Sequence, residues 1–177
     1  MTTAMSLVIR RGLPADAAAL AAFAERTFVE TFAAYNTAEN MRVYLAQAFG
    51  EDHQARDLAD ADTTILLATR GETLVAYAQM QRSAVPDGVD TRSAIELKRF
   101  YVDRSAHGRG VAAELMAAVF ATARSHDAEH VWLGVWEHNP RAIAFYRRTG
   151  FIDVGTKCFP LGDDLQIDRI MCMAVPR

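Results

Sequence analysis

A glycine loop followed by a helix-like segment is the part of the chain best suited to hold a phosphate group. His107, Gly108, Arg109 and Gly110 stand directly before a run with helical character that continues to Arg124. Glycine lacks a side chain, so the backbone can turn tightly there and approach a ligand closely. The first N–H groups of the following helix are free, and the helix dipole adds positive potential at that end. This combination predicts a site for a phosphate or pyrophosphate.

The same glycines are compatible with other structures. Gly-x-Gly also occurs at an ordinary turn between a strand and a helix. Gly108, Gly110 and Ala113 fit the fingerprint of dinucleotide-binding folds, but that fingerprint directly follows an aliphatic strand, whereas residues 103–107 separate Val102 from Gly108 here. A nucleotide-binding P-loop is excluded because no Gly-Lys-Ser/Thr triplet follows. The loop alone therefore leaves the cofactor open.

A second motif, about thirty residues after the loop, carries a tyrosine that could donate a proton. It reads NPRAIAFYRRTGF, from Asn139 to Phe151. Asn139 is a favourable N-cap and Pro140 suits the first helical position, so the motif predicts a helix. Taken alone, this helix favours a core tyrosine at Tyr146, with its hydroxyl at the edge of the core.

The elements that must position these motifs follow from the spacing of apolar residues. Alternating or continuous apolar runs predict strands at residues 7–10, 64–69, 74–80, 95–102, 131–135, 152–158 and 167–175. Helical spacing, caps and terminating glycines predict helices at about 14–27, 36–49, 52–59, 110–124 and 140–149, with Asn36 as the N-cap of the second and Glu39 completing its capping box. Residues 83–93 are predicted to form a loop. The pattern predicts one α/β domain with a mixed sheet.

Composition narrows the class of protein. The chain has 177 residues, of which 51% are hydrophobic and 23% charged, so we expect one folded domain with a sizeable core. A net charge of -3 argues against a nucleic-acid partner and is compatible with a cationic small substrate. The opening MTTAMSLVIRRG is not a signal peptide, and no apolar run approaches the ~20 residues of a membrane span. Two cysteines predict no disulfide framework, which favours the cytoplasm. The spacing of the scattered histidines predicts no metal site.

In their order and spacing, the two motifs resemble the GNAT superfamily of acetyl-CoA-dependent N-acetyltransferases. That family pairs Q/R-x-x-G-x-G/A with a later N-x-x-A-x-x-F-Y-x-x-x-G-F. The second element is complete here, whereas the first departs at its opening position, where His107 replaces Gln or Arg; Gly110 and Ala112 match. The departure leaves the backbone cradle intact and affects only a side-chain contact. The resemblance implies a mostly antiparallel mixed sheet of about seven strands, flanked by four or five helices.

A wider resemblance covers nearly the whole chain. The segments TFVETFAAYNTAENMRVYLAQAF, ELKRFYV, WLGVWEHNPRAIAFYRRTGF and GDDLQIDRIM are similar to the PaiA type of spermidine/spermine acetyltransferase. In that subfamily a histidine also occupies the loop position of His107. The N-terminal segment discriminates, because GNAT proteins share the two motifs but differ there. This resemblance implies direct transfer of an acetyl group from acetyl-CoA to a primary amine, with a polyamine as the expected substrate.

The resemblance also implies how each part of acetyl-CoA is held. The pantetheine arm would run along the strand at Phe100 and Val102 and contact Asn139, while Tyr146 would face the thioester sulfur. Arg147 could reach the outer phosphates, or it could be a solvated arginine. The pyrophosphate would lie on the backbone of the loop, namely His107, Gly108, Arg109, Gly110, Val111, Ala112 and Ala113.

The implied chemistry needs one group that accepts a proton and one that donates a proton. An alkylamine with a pKa of ~10.4 is protonated at neutral pH, so a carboxylate must take its proton before the nitrogen can attack. Glu96 is our candidate, because alternation along the strand places it on the same face as Lys98 and Phe100; the alternative is an ion pair with a neighbouring cation. By its family position, Tyr146 would protonate the departing thiolate.

The amine itself is less well defined by the sequence. A polyamine needs several carboxylates around a narrow channel, and the candidates are Glu30, Glu96, Glu137, Asp163 and Asp168, each of which also fits an ordinary surface or turn position. The alternatives are a protein N-terminus or lysine, a non-catalytic acyl-CoA-binding regulator, and a nicotinamide-dependent enzyme. An acetyl-cysteine route through Cys158 or Cys172 is disfavoured because both lie in apolar strands. The protein is expected to be a monomer or a homodimer.

Overall fold

The computed structural model describes residues 6–89 and 93–177. The expectations for the N-terminal segment and for the loop at 83–93 fall partly on residues 1–5 and 90–92, which lie outside the described residues. Over the described ranges, every helix is too short or too polar to cross a membrane.

Seven strands form one twisted sheet in the order β1-β2-β3-β4-β5-β7-β6. Every neighbouring pair is antiparallel except β4 and β5, which are parallel. The predicted α/β domain with a mixed, mostly antiparallel sheet is confirmed. The strands are β1 (Leu7–Arg11), β2 (Thr63–Arg70), β3 (Thr73–Gln81), β4 (Ala94–Val102), β5 (His130–Trp136), β6 (Ile152–Leu161) and β7 (Asp164–Ala174).

Five α-helices lie near their predicted positions in the part of the chain that the structure describes. They are α1 (Ala17–Phe32), α2 (Ala38–Ala48), α3 (Glu51–Ala59), α4 (Val111–Ser125) and α5 (Pro140–Thr149). Helix α1 continues past its predicted end at Thr27, because Phe28 and Phe32 beyond it pack in a hydrophobic cluster; the hydroxyl of Thr27 bonds to the carbonyl oxygen of Phe23 at 2.9 Å without breaking the helix.

The predicted cap of α2 is wrong by one residue. Thr37, not Asn36, is the N-cap, and its side-chain oxygen accepts a hydrogen bond from the N–H of Asn40 at 3.2 Å. Asn36 instead donates its side-chain amide to the carbonyl oxygen of Phe32, at the end of α1. Both residue types suit a cap, so local propensity could not choose between adjacent positions.

The two faces of the sheet carry separate hydrophobic clusters. Helix α4 buries Val111, Leu115 and Val119 against residues such as Leu97 and Leu133 on one face. On the opposite face, α1 and α2 pack over the sheet with Leu20, Phe28, Met41, Leu67 and Tyr77. The sheet therefore lies between two helical layers, and a side chain's direction on a strand decides which layer it meets.

The sheet opens between β4 and β5. Their parallel pairing covers only residues 94–96 of β4 and 130–132 of β5. Beyond these residues β4 continues to Val102 paired with β3 alone, and β5 continues to Trp136 paired with β7 alone. The two strands therefore diverge and leave a wedge at the centre of the sheet.

Candidate active site

A cavity of about 790 Å³ occupies the wedge between β4 and β5. Its walls are residues 97–102 of β4, residues 134–136 of β5, the loop before α4, one face of α5 and the end of α1. A cavity of this size holds a large small-molecule ligand. Both sequence motifs contribute to the same cavity.

The glycine loop has the backbone geometry of an anion cradle. Gly108 and Gly110 have φ values of +72° and +80°, in the left-handed region that side chains disfavour. The N–H of Glu114 is the first in α4 to be bonded, to the carbonyl oxygen of Gly110 at 3.1 Å. Within the described ranges, the N–H groups of residues 108–113 bond to no other group. These free donors at a helix N-terminus fit a pyrophosphate.

His107 holds the loop against the end of β4. Its Nε2 lies 2.9 Å from the carbonyl oxygen of Val102, which can only accept, so Nε2 carries the proton. The ring thereby ties the start of the loop to the last residue of the strand. His107, which stands where the family has Gln or Arg, thus has a structural role in this chain.

The edge of β4 that faces the cavity has no strand partner. Phe100 and Val102 both line the cavity, as the resemblance implied. The ring of Phe100 stacks on that of Phe145 in α5, with centroids 5.6 Å apart. An unpaired strand edge offers main-chain donors and acceptors to an extended ligand, so it suits the amides of a pantetheine arm.

Helix α5 places Asn139 and Tyr146 at the cavity. Asn139 caps the helix, because its Oδ1 accepts a hydrogen bond from the N–H of Ala142 at 3.1 Å. Tyr146 is 8% exposed and lines the cavity, and its hydroxyl has no hydrogen-bond partner among the residues that the structure describes. Burial raises the pKa of Tyr146 well above its usual value, so the hydroxyl stays protonated at neutral pH.

The predicted cofactor contacts of Arg147 and Arg109 are not found at the cavity. Arg147 forms an ion pair with Asp153, with Nη2 and Oδ2 2.7 Å apart, and Arg109 is exposed outside the lining. Arg141 and Arg148 line the cavity instead. These two arginines are seven residues apart and therefore share a helical face, a signal that the sequence carried.

Glu96 does not lie where alternation placed it. Leu97 pairs with Met80 and Arg99 with Gln79, so Lys98 is an extra residue in β4 and forms a β-bulge.

The bulge reverses the alternation. Leu97 and Phe100 pack in the same cluster under α4, although they are three residues apart. Glu96 therefore faces the opposite layer from Phe100, and the predicted shared face is wrong. Its Oε1 lies 3.6 Å from Nζ of Lys157, and the side chain does not line the cavity. The ion-pair alternative describes this residue.

The predicted substrate carboxylates do not converge. Glu30 lines the cavity, but its carboxylate is 3.2 Å from Arg26 and 3.6 Å from Arg104. Glu137 lies outside the cavity, 3.7 Å from the ring of His138. The sequence could not show this separation, because the acids lie on different elements.

The two remaining candidate acids, Asp163 and Asp168, lie in different surroundings. Asp163 lies in the turn before β7, where its N–H bonds to the side-chain oxygen of Asn40. Asp168 is buried on the face of the sheet that carries α1 and α2, next to Gly134. Neither acid lines the cavity, but Asp168 lies directly behind the cavity wall at Gly134.

Sequence reasoning missed an aromatic group at the cavity, which we call the aromatic rim: Phe32, Tyr35, Trp136 and His138. The ring of Trp136 lies 5.6 Å from Phe32, 5.0 Å from Tyr35 and 5.4 Å from His138, measured between centroids. All four residues line the cavity. They come from α1, the short turn after it, the end of β5 and the turn that follows β5, so only the tertiary structure brings them together.

Neither cysteine lines the cavity, so no thiol there is placed to accept the acetyl group. Among the described residues, no cluster of three or more His, Cys, Asp or Glu side chains has the arrangement of a metal site.

The fold and the cavity together define an acyltransferase that takes its acyl group from a phosphorylated pantetheine carrier. The cradle, the open strand edge and Tyr146 follow one another along a single cavity. The chain belongs to the acetyltransferase (GNAT) family, whose model matches residues 20–151. The dinucleotide-binding alternative does not hold, because that fold is built on a mostly parallel sheet.

Individual relatives agree with this assignment. An uncharacterized N-acetyltransferase of Mycobacterium tuberculosis is 36% identical over 156 residues, covering 88% of this chain and 96% of that protein. The crystal structure of the PaiA N-acetyltransferase of Thermoplasma acidophilum with coenzyme A superposes with a TM-score of 0.77, at 18% identity, over 96% and 99% of the two chains. A ribosomal-protein-alanine N-acetyltransferase of Brucella melitensis has a TM-score of 0.67 at 25% identity, over 94% and 99%.

The protein is therefore an acetyl-CoA-dependent N-acetyltransferase. Acetyl-CoA supplies the acetyl group as a reactive thioester, and the residues described above fit its phosphates and its arm.

Proposed function

We propose that the acceptor is the primary amine of a small alkylamine, with polyamines such as spermidine and spermine as the first class. The observation that carries this proposal is the aromatic rim beside Glu30 at the cavity. Aromatic faces attract ammonium groups, and they also pack against methylene chains. A polyamine offers both features in alternation.

The segment that carries the PaiA resemblance supports the same conclusion. Residues 27–49 form the end of α1, the turn with Tyr35, and α2. These elements cover the face of the sheet opposite α4, where an acceptor can approach the wedge without crossing the glycine cradle. The resemblance thus concerns the acceptor side of the site as well as the shared cofactor motifs.

In this proposal Tyr146 is the acid that protonates the departing sulfur. Its raised pKa keeps the proton in place until the C–S bond breaks, and the same burial raises the pKa of a thiol that leaves into the cavity. The free N–H groups of residues 108–113 hold the pyrophosphate. Arg141 and Arg148 meet the outer phosphates.

A second acceptor class, a peptide N-terminus, is favoured by a different observation. Lys98, Arg99 and Arg104 also line the cavity, and they repel a ligand that carries several positive charges. A peptide N-terminus carries one charge and presents carbonyl groups that a guanidinium can bind. The alanine N-acetyltransferase of Brucella melitensis, named for such a substrate, is 25% identical over most of this chain.

Thiol release from acetyl-CoA separates the two acceptor classes. The panel contains spermidine, spermine, an aminoglycoside, a lysine peptide and a peptide that begins with alanine. We expect spermidine or spermine to give a kcat/KM at least 10-fold above both peptides, a difference of about 1.4 kcal/mol. A peptide that exceeds both polyamines would establish the second class. Acetyl-CoA that binds without release by any amine would contradict both.

A pair of variants tests the aromatic rim directly. Tyr35→Phe keeps the ring and should retain the KM for spermidine. Tyr35→Ala removes it and should raise that KM about 5-fold, in line with an exposed cation–π contact of 0.5–1 kcal/mol, while kcat stays constant. Equal KM values for spermidine in the two variants would show that the aromatic rim does not bind the substrate.

A further inference from the structure

Gly134 has no side chain and so allows two charged side chains, those of Lys157 and Asp168, to lie directly behind the wall of the cavity. It lies in β5 just beyond the point where β4 and β5 separate, and it lines the cavity. A Cβ atom at this position would lie 3.0 Å from Oδ2 of Asp168 and 2.5 Å from Cε of Lys157. Any larger residue would displace both side chains. The absence of a side chain on Gly134 thus lets a carboxylate approach the acceptor side of the wedge from behind the cavity wall.

Asp168 is a buried acid that lies near Lys157 but forms no ion pair with it. It is 8% exposed, and no hydrogen bond or ion pair connects it to any other residue in the described ranges. Burial raises the pKa of Asp168 to about 6, and the nearby charge of Lys157 opposes this rise only in part. Buried carboxylates are normally paired, and an unpaired acid with a raised pKa beside a cavity is typical of a functional group.

The charged and titratable groups around Asp168 come from three elements. Lys157 approaches from β6, where it is the cross-strand neighbour of Asp168. Glu96 on β4 lies 3.6 Å from the ammonium of Lys157 and engages that charge. Tyr44 on α2 and Arg99 on β4 complete the set, and the pKa of Tyr44 is raised mainly by burial and slightly by Asp168. Because Glu96 holds Lys157, Asp168 remains available to a ligand.

The positions of Glu96 and Asp168 relative to the opening between β4 and β5 also favour Asp168 as the acid nearer to an entering amine. Glu96 is opposite Trp132 at the last paired position of β4 and β5, where the strands are still joined. Asp168 of β7 is opposite Trp136 of β5, and its Oδ2 lies 3.0 Å from the position that a Cβ atom on Gly134 would take, beside the separated part of the strands. Asp168 therefore lies closer than Glu96 to the end of β5 that carries Trp136 of the aromatic rim.

We propose that Asp168, rather than Glu96, is the catalytic residue that accepts the proton of the attacking ammonium group. This inference rests on the proposed acetylation of an amine. The ammonium gives one proton to the carboxylate, which later releases it to water. The freed nitrogen attacks the thioester carbonyl, so that an N–C bond forms and the C–S bond breaks. Tyr146 protonates the sulfur, and the second nitrogen proton replaces the one that Tyr146 gave.

Lys157 is a positioning residue in this scheme. Its ammonium holds Glu96, and its charge limits the pKa rise of Asp168. Without Lys157, the carboxylate would stay protonated to higher pH and would be a poorer base near neutrality.

The test compares Asp168→Asn with the matched variant Glu96→Gln, using the best acceptor of the panel. At pH 7 we expect Asp168→Asn to lower kcat/KM by about 10²- to 10³-fold and Glu96→Gln to lower it less than about 3-fold. Calorimetry should give the same acetyl-CoA Kd for both variants and the wild type, which shows that each folds. The loss in Asp168→Asn should shrink toward pH 9.5, because more of the amine is already unprotonated.

A second acceptor sharpens the comparison. 2,2,2-Trifluoroethylamine is mostly unprotonated at pH 7 and needs no base, so Asp168→Asn should acetylate it at nearly the wild-type rate. An equal loss with both amines, or a loss independent of pH, would mean that Asp168 is only structural and would overturn the proposal. A large loss in Glu96→Gln with activity retained in Asp168→Asn would overturn it in favour of Glu96.

A measurement without any acceptor separates this proposal from the proposed function. The ¹³C resonance of the Asp168 carboxyl should titrate near pH 6 in the wild type and at higher pH in Lys157→Met. A midpoint near 4, the ordinary value for aspartate, would contradict the proposal even if amines are acetylated. A midpoint near 6 together with an inactive panel would count against the amine classes and not against Asp168.

Discussion

The ring of Phe100 on β4 meets the ring of Tyr146 on α5 edge to face, with centroids 6.3 Å apart. Phe145 stacks on Phe100 from the same helix, at 5.6 Å. These contacts fix α5 against the edge of β4 that has separated from β5. The hydroxyl of Tyr146 is thereby held at the cavity, at a set position relative to the strand edge that suits the pantetheine arm.

Tyr146→Phe tests whether this hydroxyl acts in catalysis. We expect kcat to fall about 10²-fold because the sulfur loses its proton donor, while the Kd of acetyl-CoA changes less than about 2-fold. The control is Tyr77→Phe, which removes a buried hydroxyl from a tyrosine that does not line the cavity. Stopped-flow thiol release and calorimetry measure the two quantities. An unchanged kcat would remove Tyr146 as the acid.

Gly110→Ala tests the phosphate cradle. Gly110 has a φ of +80°, a conformation that costs an L-residue about 1–2 kcal/mol, so the loop should shift and weaken acetyl-CoA binding about 10-fold. Gly50→Ala is the matched control, because Gly50 caps α3 at a φ of −67° and a Cβ atom there would have no neighbouring atom within 4 Å. Calorimetric Kd values check both variants. Equal weakening in the two would indicate a general loss of stability.

Arg148→Ala tests which arginine of α5 meets the outer phosphates. It should weaken acetyl-CoA binding about 5-fold, since one exposed contact between an arginine and a phosphate contributes about 1 kcal/mol. Arg147→Ala, one residue away, should leave the Kd unchanged because Arg147 is paired with Asp153. When the ligand is desulfo-CoA that lacks the 3′-phosphate, the difference in Kd between the Arg148→Ala and Arg147→Ala variants should be smaller. A larger increase in Kd for Arg147→Ala than for Arg148→Ala would support the prediction from the sequence that Arg147 reaches the outer phosphates.

The parts of the site that could be predicted from the sequence are those that depend on local chain chemistry. Gly110 takes a positive φ at the start of α4, and Asn139 caps α5, because these residue types favour those conformations wherever they occur. Family resemblance then gave the cofactor. The predicted helix at 140–149 was confirmed with the same bounds.

The parts of the site that could not be predicted depend on the register in which neighbouring strands pair. The extra residue Lys98 in β4 becomes a bulge only when β3 pairs with it, and this one residue moves Glu96 to the other face of the sheet. Asp168 lies directly behind the cavity wall only because Gly134 on a neighbouring strand has no side chain. Neither relationship is visible in the spacing of residues along the chain.

Asp168 also makes the stability of the protein depend on pH. Its pKa rises from 3.8 to about 6 on folding, so the folded state holds this proton more tightly than the unfolded state. The contribution is fully present below pH 3.8 and is lost as the pH rises through 6, a loss of about 3 kcal/mol at pH 8. Asp168→Asn removes the buried charge and should therefore be more stable than the wild type at pH 8, by up to about 3 kcal/mol, and by only about 1 kcal/mol at pH 4.5.

Urea unfolding at the two pH values measures this difference. Glu96→Gln is the control, because it breaks an ion pair with Lys157 and should gain no stability at pH 8. A variant that is more stable and less active would show that the carboxylate is kept at a cost in stability because the reaction needs it. An Asp168→Asn protein that is less stable than the wild type at pH 8 would mean that the carboxylate is stabilised by the fold, which is incompatible with an unpaired buried acid.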